Sequence, residues 1–392
     1  AEGEKPLTKP TGPLAGIRIV DMSTVVLGPF ATLILADLGA EVIKVENGSG
    51  DIMRHAGPAP HPGMGAIYTT LNRNKQSIQI NAKTDEGKEA LSRLIQGADV
   101  FFHNVRMKGA ERLGFGYKDV ARLRPDIVYV HCAGYGQDGP YKDLPAYDDL
   151  IQASTGFADM LRMRDGGNPA YVPELIADKT VGLYAVYATI AALFHRERTG
   201  EGQFVQVPMF ETFTFFHMVE NLYGETWMPG GGRMAYTRSV NPNRKPYPTK
   251  DGFIGLVPYS DEQWQQFFDL GGRSEVFEDP RFATYEARTA NITELYGIIE
   301  EVAKTRTTEE WLDVLHEMEI PAMGFKTNEE MLTDPHLAAS GFFETRSHPI
   351  GEDYRAMKHP VSFSKTPANI RHEPPVLGQD TEIILSQLGL GD

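Results

Sequence analysis

The chain is 392 residues long, which at about 150 residues per domain predicts two or three domains. Apolar residues are 41% and charged residues 23%, proportions that exclude a disordered chain or a collagen-like repeat. Lys plus Arg is 38 against 53 Asp plus Glu, a net charge of −15, which argues against coating nucleic acid or an anionic membrane but leaves room for one basic pocket around a small anion.

The first residues, Ala1-Glu-Gly-Glu-Lys-Pro6, are polar and have neither the basic nor the apolar region of a secretion signal, so a cytoplasmic protein is expected. From Pro13 to about Gly139 short apolar runs alternate with helical patterns. Strands are expected over 16–21, 41–46, 77–80, 99–102 and 126–131. Helices are expected over 29–38, over 84–96 with Thr84 as N-cap and Gly97 as stop, and just after Lys108. Strands joined through helices imply crossovers and a mostly parallel sheet, an α/β and broadly Rossmann-like half.

Residues 148–222 read as mostly helical, with helices over 150–161, 179–198 and 210–223 and a strand over 203–207. The helix over 179–198 is apolar on more than one face and is expected to be well buried. Its apolar stretch, Val181 to Phe194, falls short of the roughly 18 residues of a membrane span. Gly224 to Thr249 is a Gly/Pro-rich junction. A second globular stretch follows, with a strand over 253–257 and helices over 261–270, 292–305 and 308–318, then a loop-rich end from Thr327.

Few motifs carry chemistry. Cys132 is the only cysteine, so an intramolecular disulfide and a Cys-based zinc cage are excluded, and its apolar setting reads as a buried small side chain. Gly134-Tyr-Gly-Gln-Asp-Gly139 satisfies the dinucleotide pattern after a strand, but Pro140 to Pro145 follow where a helix must open, so the reading is a Gly-rich turn and no nicotinamide cofactor. His103 and His131 lack metal-ligand spacing, and no metal is expected. Arg73, Lys75, Arg106, Lys108 and Arg112 cluster at strand ends, where open α/β sheets bind ligands. Asp178 stands at the expected N-cap of the helix from Lys179. As a plain cap it contributes about 0.5–2 kcal/mol. As a carboxylate fixed at a pocket wall it is also a nucleophile toward an activated acyl group.

Taken together, Pro13-Leu-Ala-Gly-Ile-Arg-Ile-Val-Asp-Met-Ser23, Leu38-Gly-Ala-Glu-Val-Ile-Lys-Val-Glu46, Gly50-Asp51, Asn72-Arg-Asn-Lys75, Leu113-Gly-Phe115, Tyr147-Asp148, Ile176-Ala-Asp178, Arg198-Thr-Gly-Glu-Gly-Gln203 and Asp279-Pro-Arg-Phe282 resemble class III CoA-transferases, the CaiB/BaiF superfamily, formyl-CoA transferase among them. The resemblance runs in order along nearly the whole chain. It implies a large Rossmann-like domain from both chain ends (residues 1–224 and 328–392), a smaller α+β domain (225–327), and an interlocked homodimer. It implies a CoA-transferase that uses acyl-CoA and a small carboxylic acid, with Asp178 as covalent nucleophile and Tyr147 in the site. It also implies that Val26, Leu27, Lys75, Asn104 and Arg112 contact CoA. Asn47 stands where some relatives carry an arginine, and Gly230-Gly-Gly232 matches either a mobile glycine loop or a plain linker. Racemases of 2-methylacyl-CoA place a histidine at the Tyr147 position. A tyrosine, with a reference pKa near 10, is a poor base for that reaction. The alternatives are such a racemase and a non-catalytic CoA-binding homologue.

Overall fold

The structure, a computed structural model, describes residues 9–391; the polar start at Ala1 lies outside the described residues. Two compact units result. One takes the described chain up to Thr155, Val172–Phe216 and the chain from His336 on; the other takes Gly156–Tyr171 and His217–Pro335. The second unit is thus wider than the stretch 225–327 and includes the earlier segment Gly156–Tyr171.

In the first unit, β1 (Arg18–Asp21), β2 (Glu41–Glu46), β3 (Lys75–Gln79), β4 (Val100–His103), β5 (Val128–Ala133) and β6 (Gln203–Pro208) form one sheet. Its order is β3-β2-β1-β4-β5-β6 and every neighbouring pair is parallel. The chain starts in the middle, winds to one edge, then returns and winds to the other. That reversal leaves a crevice outside the carboxyl ends of β1 and β4. β4 and β5 are buried along their whole length, as strands covered on both faces must be.

Helices α1 (Leu27–Asp37), α2 (Ala66–Leu71), α3 (Asp85–Gln96), α4 (Met107–Leu113) and α5 (Tyr117–Leu123) connect the first five strands. Thr84 caps α3 by accepting the Gly87 N–H. The helix expected over 150–161 is two, α6 (Asp148–Ser154) and α7 (Asp159–Asp165), because Gly156 turns the chain at φ +84°. α8 (Ile176–Thr199) starts at Ile176, not Lys179, and α9 (Met209–Asn221) follows β6. At 24 residues and mean hydropathy 1.2, α8 is long and apolar enough to cross a bilayer, against the shorter stretch read from sequence; half of it is buried in the protein. Nor is it covered all round: Leu183, Tyr187 and Phe194, spaced on one face, are exposed.

The second unit holds the antiparallel sheet β7 (Tyr247–Pro248), β8 (Phe253–Leu256) and β9 (Ala322–Gly324). Around it lie α10 (Asp261–Leu270), α11 (Glu275–Glu278), α12 (Tyr285–Ala290), α13 (Ile292–Ala303) and α14 (Thr308–Glu317). Trp264, Phe267, Phe268 and Trp311 centre its core. After the short α15 (Pro335–Ala339) the chain returns to the first unit as the hairpin β10 (Phe343–Ser347) and β11 (Asp353–Met357), then α16 (Thr381–Gln387). This return covers the edge of β3, where the Ser77 N–H donates to Asp380 Oδ2 (2.8 Å) and the Gln79 N–H to Thr381 Oγ1 (3.0 Å).

Candidate active site

A cavity of about 250 Å³ opens at the crevice that the sheet order creates. Thr24, Val25 and Leu27 line it from the β1–α1 connection, Asn104 and Arg106 from the end of β4, and Cys132 and Gly134 from the end of β5. Tyr147 and Asp178 complete the wall from α6 and α8. Residues from five separate stretches meet because each follows a strand or opens a helix beside the switch point.

Glycines set how closely these walls approach. A Cβ on Gly182 would stand 2.9 Å from Leu27 O and 3.1 Å from Phe30 Cδ1, so its absence lets α8 lie directly on the first turn of α1. Asp178 is one turn earlier on the same face of α8 and is thereby brought beside Leu27. A Cβ on Gly134 would meet Ala146 Cβ at 2.5 Å, so the turn after β5 accommodates the strand of chain leading to Tyr147. The glycine pattern 134–139 therefore serves packing, and the next helix in this unit opens only at Asp148.

The β1–α1 turn is strained. Val25, β-branched, has φ +75°, a left-handed conformation that costs about 1–3 kcal/mol and persists only where its surroundings over-determine it. Asn104 holds Thr24 reciprocally, accepting its N–H (3.1 Å) and donating to its carbonyl (2.8 Å). Val26, the N-cap of α1, makes no side-chain bond; Pro29 has no N–H and the Phe30 N–H donates to Val26 O (2.8 Å), which leaves the N–H groups of Leu27 and Gly28 without a side-chain cap.

Asp178 is the third residue of α8, not its cap; the N-cap is Leu175, which makes no side-chain bond. The cap comes from another helix. Asp148, buried at the start of α6, accepts the Asp178 N–H on Oδ1 (2.9 Å) and the Gln152 amide on Oδ2 (2.7 Å). Gln152 Oε1 in turn accepts the Val172 N–H (3.1 Å), tying down the chain that leads into α8. Only 8% of Asp178 is exposed. Burial first, then the neighbouring Asp148 and Asp149 carboxylates, push its pKa from 3.8 up to about 7. A helix N-terminus opposes this by only about 0.3–1 kcal/mol, which is less than one pKa unit, so burial wins. The result is a carboxyl group poised to ionise at neutral pH.

Five candidate residues, Tyr147, Asp178, Val26, Leu27 and Asn104, come together here, although Val26 is buried and is not part of the lining. Tyr147, the N-cap of α6, is 62% exposed. Lys75 does not reach the cavity. Its ammonium lies in the interior, donating to Pro29 O and Asn72 Oδ1 (both 3.0 Å) with Asp21 Oδ2 at 3.8 Å. Burial lowers its pKa to about 7. Arg112 sits exposed in the last turn of α4 and is not on the lining; the cavity arginine is Arg106, which makes no ion pair among the described residues. Asn47 lies on a separate groove with Gln79 and Gly378. Gly230–Gly232 belongs to the second unit, where the Gly231 N–H donates to Glu225 (2.8 Å).

The histidines are structural in setting: His103 and His131 stack at 4.7 Å behind the cavity, and burial holds both pKa values down, His131 to about 4. His131 donates from Nε2 to Val105 O (2.9 Å), fixing the segment that carries Asn104 and Arg106. Cys132 is buried and burial raises its thiol pKa, so it is a weak nucleophile. Among the described residues no three His, Cys, Asp or Glu side chains converge as a metal site. Sequence reasoning missed Gln152 and the Lys44–Asp51 pair described below, and the tight Gly50-Asp51 after β2 was the one available signal.

A family model described as CoA-transferase family III matches residues 14–381. A succinate–glutarate CoA-transferase from Agrobacterium fabrum is 32% identical over 98% of this chain and 97% of its own length. A formyl-CoA:oxalate CoA-transferase from Streptomyces avermitilis is 33% identical over 97% of each chain. Among solved structures, a CaiB/BaiF family protein from Brucella suis is similar at TM-score 0.80 and 30% identity, over 96% of this chain and 100% of that one. Rv3272 from Mycobacterium tuberculosis is similar at TM-score 0.84 and 28% identity over the same shares.

Proposed function

The chain belongs to CoA-transferase family III, and from that premise we propose that it moves CoA between an acyl-CoA donor and a small carboxylic acid through a covalent intermediate on Asp178. The observation that carries this reading is a single buried carboxyl group in the switch-point cavity, with its backbone pinned by Asp148.

In the first step a carboxylate oxygen of Asp178 attacks the thioester carbon; the C–S bond breaks, giving a mixed anhydride and CoA thiolate. The thiolate attacks the Asp178 acyl carbon and expels the donor acid, leaving an aspartyl-CoA thioester. The acceptor carboxylate attacks that thioester, and the released thiolate takes the acceptor acyl group, restoring the Asp178 carboxylate. One thioester is exchanged for another, so the chemistry is nearly isoenergetic and draws on no ATP. Catalysis then rests on a positioned nucleophile and on donors for the oxyanion. The uncapped N–H groups at the start of α1 are suited to that task. Tyr147, Asn104 and Leu27 line the acyl end, with Val26 buried behind them, and Arg106 is the cavity's cation for an anionic group of CoA or acid.

The working form is a homodimer. Leu183, Tyr187 and Phe194 make an exposed apolar stripe along α8, and Phe215 and Val219 are exposed on α9; stripes of this kind mark a protein interface. A panel of carboxylic acids with succinyl-CoA and acetyl-CoA as donors tests the activity. CoA exchange with at least one small acid is expected, and binding without exchange across the panel refutes it.

A further inference from the structure

Every backbone polar group from the Ser23 carbonyl to the Val25 N–H is held by a side chain. Lys44 Nζ donates to Ser23 O (2.9 Å), Asn104 takes both groups of Thr24, and the Val25 N–H donates to Asp51 Oδ1 (3.1 Å). Lys44 and Asp51 are bonded to each other at 2.9 Å, and both side chains are 0% exposed. The support below them is also fixed. The Asp51 N–H donates to Glu46 Oε1 (3.0 Å), and Glu46 is held by Arg54 (2.6 Å) and by the Ser77 hydroxyl (2.6 Å). Lys44 and Glu46 lie two apart on β2, so one strand carries both anchors.

A buried ion pair is a weak device for stability, because desolvation cancels much of the attraction and apolar residues of similar volume often do as well. What an apolar replacement lacks is a donor and an acceptor aimed at the backbone of a left-handed β-branched residue. That residue, Val25, lines the cavity together with Asp178.

We infer that Asp51, with Lys44 as its buried counter-ion, is a positioning residue of the active site, its carboxylate oxygen holding the Val25 N–H and so the left-handed turn, so that the cavity wall and the start of α1 face Asp178. The catalytic consequence rests on the function proposed above; the structural one does not.

Two double variants separate the roles, Lys44→Met with Asp51→Asn and Lys44→Met with Asp51→Ala. Both remove the two charges together, and only the first keeps an oxygen to accept the Val25 N–H. Two readouts are taken: hydrogen exchange of the peptide covering 22–30, and kcat and KM with the best donor and acceptor of the panel. The Asn double is expected to keep wild-type protection, and kcat within about threefold. The Ala double is expected to exchange at least about tenfold faster at this turn and to lose at least about tenfold in kcat, with KM within about threefold. Equal protection and equal kcat in the two doubles overturn the inference. Should the doubles not fold, Val25→Gly reads the same turn. Glycine adopts the left-handed form without strain and keeps the N–H that Asp51 accepts, so wild-type protection at the turn and a kcat within about threefold are expected, and a kcat reduced about tenfold or more with that protection unchanged overturns the inference. A wild-type chain without CoA exchange would refute the proposed reaction and leave the exchange protection to decide the role of the pair.

Discussion

Replacing Asp178 with Asn isolates the most unusual electrostatic feature of the cavity. Asparagine keeps the shape, cannot ionise and cannot attack a thioester. In the wild-type chain the carboxyl titrates at about 7 when folded and near 3.8 when unfolded. Between those values the folded chain holds a proton that the unfolded chain releases, so this group makes the protein less stable as pH rises from about 4 to 7, and the deficit is constant above that. At 1.36 kcal/mol per unit the full deficit is up to about 4 kcal/mol. The variant lacks it. Wild type and Asp178→Asn are therefore expected to melt close together at pH 4.5 and to separate by on the order of 10 °C at pH 8, with the variant more stable, at matched protein concentration. CoA exchange in the same variant is expected to fall by at least about a thousandfold. A gap that does not change with pH, or a variant less stable at pH 8, refutes the assignment of a buried, unpaired carboxyl.

Asp148→Asn keeps an oxygen for the Asp178 N–H but removes the nearest negative charge, so the acidic limb of the kcat/KM–pH profile is expected to move to lower pH; a limb that stays in place contradicts the coupling. Gly182→Val overpacks the contact between α8 and α1, costing about 1–3 kcal/mol, and tilts Asp178 away from Leu27; melting temperature and kcat are both expected to fall, kcat by about tenfold or more. Stability lost with kcat intact would separate that contact from the site. Phe194→Asp places a charge in the exposed stripe of α8 and is expected to shift the mass measured by light scattering from dimer to monomer; an unchanged dimer places the interface elsewhere.

The parallel sheet was readable because its inner strands are buried on both faces and so appear as unbroken apolar runs, as in Val100–His103 and Val128–Ala133. Thr84 and Gly97 bounded α3 through local chemistry alone. What sequence missed was set from a distance. The start of α8 is stabilised by Asp148, thirty residues away, so no local capping signal marks Ile176. Lys75 reads as a surface cation at a strand end, yet tertiary packing folds it inward against Pro29 and Asn72. The hairpin at Phe343–Ser347 is half exposed and rich in charged and hydroxyl residues, and so lacks the apolar alternation that announces a strand. Asp178 stood out by its place at an expected helix start, where capping and attack on an acyl group were both open, and the motif resemblance chose between them; Tyr147 was found through the resemblance alone.

During turnover Asp178 is expected to bond covalently to the group in transit. Intact-mass and peptide mass spectrometry after incubation with succinyl-CoA, quenched during turnover, tests it most directly. The expected result is a CoA thioester on the peptide containing Asp178, absent from Asp178→Ala, which also lacks exchange activity. An unmodified Asp178 during turnover, or an Asp178→Ala chain that exchanges CoA at the wild-type rate, would contradict the account.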